Sequence, residues 1–213
     1  MKTLSIIFLV AILFSCGNSE IKTKQNNLET SIQADPKNIM LHVEYLRLLF
    51  LELGDYKGSI LYYEDNNSIL LQSVEGQCIY GAALCALGGE TEKIEEKLLL
   101  LKKGMLVLEQ MVEESDDSVA LLWRLQTYSH FPEIMNVRSI VEEDIDKLLK
   151  NYNLSQGTLA YIFDAQLNIV QEYHDIKLLD KTEVMIVKQL SGEQKDILLE
   201  RVVSLRKKLG GKR

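Results

Sequence analysis

The residues of this 213-residue chain that could carry catalysis or hold a metal are three histidines, three cysteines and a few clusters of carboxylates. His42, His130 and His174 stand on separate segments. None has a Cys, Asp or Glu partner at the HxxxH or CxxC spacing of a metal site, so each reads as a solvated or locally hydrogen-bonded side chain and no metal is expected. Cys78 and Cys85 lie two turns apart along one helical face, which puts their α-carbons about 10 Å apart, too far for a disulfide. They read as small buried apolar residues. The carboxylates at Glu92-Glu95-Glu96, at Glu113-Glu114-Asp116-Asp117 and at Glu142-Glu143-Asp144-Asp146 are local runs. Glycoside hydrolysis needs two carboxylates facing each other across a substrate, whereas acids at helix starts and exposed faces complement the helix dipole. No GxGxxG or GxSxG loop is present, and no GxxxxGK followed by Ser or Thr. The expectation is a protein without catalytic residues or cofactors.

Two constellations remain. Trp123, Arg124 and Tyr128 share one helical segment ahead of Phe131-Pro132. They could form a partner-binding groove with an aromatic floor and a guanidinium for a carboxylate or peptide backbone. Alternatively Trp123 is core and Arg124 pairs with an acid on the following helix, Asp144 being the candidate. The second constellation is at the N-terminus: Lys2, the apolar run Leu4 to Phe14, the small residue Ser15, then Cys16. The run is too short to span a bilayer and reads as an export signal. Leu13-Phe14-Ser15-Cys16 resembles the lipobox of bacterial lipoproteins. That resemblance implies cleavage after residue 15, diacylglycerol on Cys16, and anchorage in the cell envelope. No aspartate directly follows Cys16, which by the same resemblance points to the outer membrane and its periplasmic face. Acyl chains of that kind hold a folded domain stably on a membrane.

The remaining elements must position these residues. Apolar residues make up 46% of the chain and there are two prolines, so a sizeable helical core can form with few interruptions. The formal charge of −7 disfavours nucleic acid as a partner. The basic tail Arg206, Lys207, Lys208, Lys212 and Arg213 reads as cations at a helix C-terminus. Residues 16–34, rich in Asn, Ser, Lys, Gln and Glu, read as a flexible tether.

Leu53-Gly54 and Leu87-Gly88 lie thirty-four positions apart, each after a run of mostly apolar residues. The correspondence extends to Leu46 with Tyr80, Phe50 with Leu84, and Ile60 with Ile94. This period resembles that of the tetratricopeptide repeat, a pair of antiparallel helices that stacks on the next pair. The resemblance covers residues 35–153, starting at Asp35-Pro36-Lys37-Asn38, and implies an all-α stack in which Gly54 and Gly88 each end a helix. Residues 154–213 are expected to be capping helices packed on the stack. A strand pair is the rival reading for residues 155–173, and Ser191 to Gln194 resembles a capping box. Members of the tetratricopeptide family bind proteins or peptides on a helical surface. The resemblance therefore implies a lipid-anchored scaffold with a protein or peptide partner. The alternative is a nutrient- or other small-molecule-binding lipoprotein associated with a transporter, with its pocket near Trp123.

Overall fold

A computed structural model describes residues 18–115 and 117–210. Residues 1–17, on which the expected export signal and the expected lipidation at Cys16 fall, lie outside the described residues. Every element is helical, as composition and periodicity lead one to expect: an all-α, repeat-like, multi-helix protein. Residues 155–173 are helix, not strand. The chain divides into two compact units, one ending at Trp123 and one beginning at Arg124.

In the first unit, α1 (Asn18–Ala34) occupies the stretch expected to be a flexible tether. Ile21, Leu28 and Ile32 recur at helical spacing, and Leu28 is buried among Tyr45, Leu48 and Leu49. The amide of Gln25 donates to the Tyr45 hydroxyl at 3.2 Å, which in turn donates to the Glu29 carboxylate at 2.7 Å. Three apolar residues and one shared hydroxyl thus order a segment whose composition looks unfoldable.

α2 (Ile39–Arg47) runs into a π-helical turn at Leu48–Glu52. Gly54 ends the segment at φ 62°, a conformation that carries a strain penalty for any residue with a Cβ. α3 (Tyr56–Asp65) begins where the Asp55 carboxylate accepts from Gly58 N–H at 2.8 Å, and a short turn, α4 (Asn67–Leu70), follows. Ser73 caps α5 (Val74–Glu90) in the same way, at 3.0 Å, and α6 (Ile94–Glu114) returns along it. Val43, Leu46, Phe50, Ile60, Tyr63, Ile79, Tyr80 and Leu84 form the core of this unit. Within it the Tyr63 and Tyr80 rings stack 4.2 Å apart.

The thirty-four-residue correspondence is matched in burial at Leu46 with Tyr80 and Phe50 with Leu84, and fails at the turn. Leu46, Phe50, Tyr80 and Leu84 are all buried. Gly88, however, lies inside α5, which continues to Glu90 and ends where Thr91 Oγ1 donates to the Leu87 carbonyl. Its role is close approach: a Cβ there would sit 3.1 Å from Leu101 Cγ. Downstream of the turn, Ile60 is 8% exposed while its counterpart Ile94 is 72% exposed. Gly104 has the same role at the middle of the pair. A Cβ on it would stand 2.5 Å from the Gly81 carbonyl oxygen and 2.6 Å from Cys85 Sγ. Gly81 meets Gly104 and Leu108, and Gly88 meets Leu100 and Leu101, so α5 and α6 run in opposite directions.

The division between units falls within α7 (Ser118–Tyr128). In the second unit a 3-10 turn at Glu133–Met135 leads to α8 (Arg138–Asn151). α9 (Gln156–Tyr173), α10 (Ile176–Gln189) and α11 (Gly192–Lys208) follow. Phe163, Leu167 and Val170 of α9 pack with Leu179 and Ile186 of α10 and with Leu198, Val202 and Leu205 of α11. Ser155 and Asp175 cap α9 and α10 through Thr158 N–H at 3.1 Å and Leu178 N–H at 2.9 Å. The capping box expected at Ser191 does not form. Instead, Gln156 Oε1 accepts from the Ser191 backbone N–H at 3.0 Å, tying the start of α11 to the start of α9.

Candidate functional site

The three residues read from the sequence as a partner surface are placed in different surroundings. Trp123, half-buried, packs edge-on against Phe50 with ring centroids 5.6 Å apart, on the core of the first unit. Arg124 and Tyr128 belong to the second unit. Arg124 is buried, and its Nε and Nη2 donate to the two oxygens of Asp144 at 2.9 and 2.6 Å. This is the pairing the alternative reading of Arg124 singled out. Burial raises the Asp144 carboxyl above its ordinary pKa against the pull of the guanidinium. Tyr128 is wholly buried and stacks on Phe131 at 5.2 Å. These side chains build structure, and only Trp123 keeps any appreciable surface.

The histidines have local partners. His42 is buried, with Nε2 donating to the Pro36 carbonyl at 3.1 Å. Because a carbonyl can only accept, the ring is the Nε2–H tautomer, and Nδ1 accepts from the Tyr62 hydroxyl at 2.8 Å. The Tyr62 phenol is pushed above its usual range by burial and by the neighbouring Tyr45. His130 lies half-buried with Nε2 3.4 Å from the Asn168 amide nitrogen, which also donates to Ser129 Oγ at 3.1 Å. The Asn168 carbonyl accepts from Arg201, and Arg201 also pairs with Asp164. Burial pulls His130 down from 6.5 to about 4, so it is neutral in the fold at pH 7. His174 is exposed in the left-handed region at φ 54°, ending α9.

Chemistry by thiol is suppressed. Cys78 and Cys85 are buried, and burial pushes both thiols up to about 12, so neither is a nucleophile at neutral pH. No group of His, Cys, Asp or Glu among the described residues could hold a metal ion. No described helix is long and apolar enough to cross a membrane.

What the first unit does offer is an open groove of about 520 Å³ along α1, closed on one side by Glu44 of α2. Glu20, Thr23, Lys24, Asn27 and Ser31 line it, with Leu28 at its base. Carboxylate, ammonium, amide and hydroxyl groups rim a lining that is apolar over much of its area, and its openness would leave a bound small molecule in contact with water.

The chain matches no family model, curated protein or solved structure.

The groove was missed in the sequence because it depends on α1 being helical. The one available signal was the spacing of Ile21, Leu28 and Ile32, which fits a single helical stripe.

Proposed function

We propose that this protein is a lipid-anchored, non-catalytic scaffold of the bacterial envelope that binds a polypeptide partner through its helical surface. The observation that carries the reading is the groove along α1: open to solvent, rimmed by charged and hydroxyl side chains, and edged by Glu44 of α2. Small-molecule sites are largely enclosed, and polypeptides lie in open grooves. The tetratricopeptide resemblance around Leu46, Phe50 and Leu53-Gly54 supports recognition of proteins, and the lipobox resemblance at Leu13 to Cys16 supports the anchor and the outer-membrane location. Anchoring raises the local concentration of a co-anchored partner and so its occupancy. The small-molecule alternative draws no support from the surroundings of Trp123, whose ring is packed against Phe50.

Photo-crosslinking in the native host tests the reading. A photoreactive residue at Asn27 is expected to yield discrete adducts of higher mass, and the same residue at Lys207, on the far end of α11, is expected to yield none. Absence of polypeptide adducts at Asn27, Thr23 and Ser31 alike would overturn it. Separately, Cys16→Ala is expected to shift the protein from the membrane pellet to the soluble fraction; retention through an alkaline wash defeats the anchor.

A further inference from the structure

The outer side of α6 is used neither by the groove nor by the buried networks. The inner side of this helix closes against α5 through Gly104 and Leu108. Its outer side exposes Leu99 at 68% and Leu106 at 56%, two turns apart and therefore in line, with Leu98 beside them. Large aliphatic side chains aligned on one exposed helix face are the usual mark of an interaction surface.

The charges around Leu99 are ordered. Glu95 and Glu96 precede it, and Lys102 and Lys103 follow it. Glu95, Glu96 and Lys102 are exposed and make no ion pair among the described residues. Lys103 is held loosely, 3.5 Å from Glu64 and 5.2 Å above the Tyr80 ring, and remains half exposed.

We propose that this face is the interface of a homodimer in which two copies lay their α6 helices antiparallel about a two-fold axis at Leu99. That axis places Glu95 of each copy opposite Lys103 of the other, and Glu96 opposite Lys102, around a centre of Leu98 and Leu99. A parallel pairing sets Glu against Glu and Lys against Lys. An isologous interface requires a patch complementary to itself, and the order acid, leucine, base along α6 meets that requirement. The opposed charges fix direction and register, and the leucines supply the apolar contact. The helix is about 31 Å long, enough to contribute the greater part of the roughly 800 Å² that each partner of a stable complex buries. The inference is independent of the α1 groove, which lies on a different helix.

Disulfide trapping and light scattering on the full chain in detergent test it. Leu99→Cys is expected to form an intermolecular disulfide under mild oxidation, because the two positions meet at the axis. Leu106→Cys is not, because the two copies of that position lie about 21 Å apart along the axis of an antiparallel pair. The buried thiols of Cys78 and Cys85 stay out of the reaction. Leu99→Asp is expected to weaken dimerisation at least tenfold with helical content unchanged. Lys102→Glu is expected to do the same, and Glu96→Lys combined with Lys102→Glu is expected to restore the dimer. A monomeric wild-type chain, trapping at both cysteine positions alike, or a Lys102→Glu defect that the double variant fails to repair overturns the proposal.

Discussion

Asp144 receives two hydrogen bonds from Arg124, at 2.9 and 2.6 Å, with its own side chain fully out of water. The pair links α7 to α8 inside the second unit. Removing one partner leaves a buried charge with no counter-ion, which costs far more than the intact pair contributes. Arg124→Met is therefore expected to lower unfolding free energy by about 3–5 kcal/mol. Arg124→Met with Asp144→Leu is expected to recover most of that loss, because two apolar side chains of similar size replace a pair that had to be desolvated. Urea unfolding of the three chains decides the matter. Equal destabilisation in the single and double variants refutes the argument.

His130 makes the protein sensitive to mild acid. Its pKa is about 4 in the fold against an ordinary 6.5, so the unfolded chain takes up a proton that the folded one refuses. Stability from this group is full above pH 6.5, falls as the pH drops towards 4, and levels off below that. The slope within the window is at most about 1.4 kcal/mol per pH unit, giving a total on the order of 3 kcal/mol. Asp164 opposes the shift and Arg201 adds to it, while Asn168 contacts the ring. Denaturant midpoints for the wild type and His130→Gln, compared between pH 7.5 and 4.5, are expected to converge as the pH falls. Parallel curves would exclude His130 as the source.

The crossing of α5 and α6 admits no methyl group. Alanine at position 104 improves helix propensity by up to about 1 kcal/mol. It also drives a Cβ to 2.5 Å from a backbone carbonyl, which cannot yield as a flexible side chain can. Overpacking of this kind costs about 1–3 kcal/mol, so Gly104→Ala is expected to lower Tm in calorimetry despite the better helix former. A rise in Tm contradicts the contact.

Thiol labelling measures how firmly the same helices hold. In a chain starting at Gly17, Cys78 and Cys85 are the two thiols, both buried and both titrating near 12. Reaction with a colorimetric disulfide at pH 8 is expected to be negligible in buffer and to reach both sites in urea, with the same midpoint as the loss of helix. Fast reaction in buffer would mean that α5 opens without global unfolding.

The all-helical class was legible because its signals are local: few prolines, strong helix formers and apolar residues at helical spacing. The fates of Cys78, Cys85, Trp123 and Arg124 were also readable, since burial and a nearby acid follow from periodicity alone. The turn expected at Gly88 was not, because the same residue type serves two purposes. At Gly54 it supplies a left-handed backbone, and at Gly88 it supplies room for Leu101; only the partner helix distinguishes them. α1 was obscured for a similar reason. Its polar composition reports on the exposed faces, while the few residues that order it act through Tyr45, Leu48 and Leu49, which come after it in the chain. The groove depends on that helix and was hidden with it.

The early start of α1 limits the leash. Only Gly17 separates Cys16 from Asn18, and two residues of chain reach at most about 7 Å. If Cys16 carries the proposed acyl chains, the first turn of α1 would lie close to the headgroups, and the groove along α1 would open near the lipid–water boundary. A polypeptide confined to the same leaflet would then reach the groove more readily than one diffusing in from the bulk.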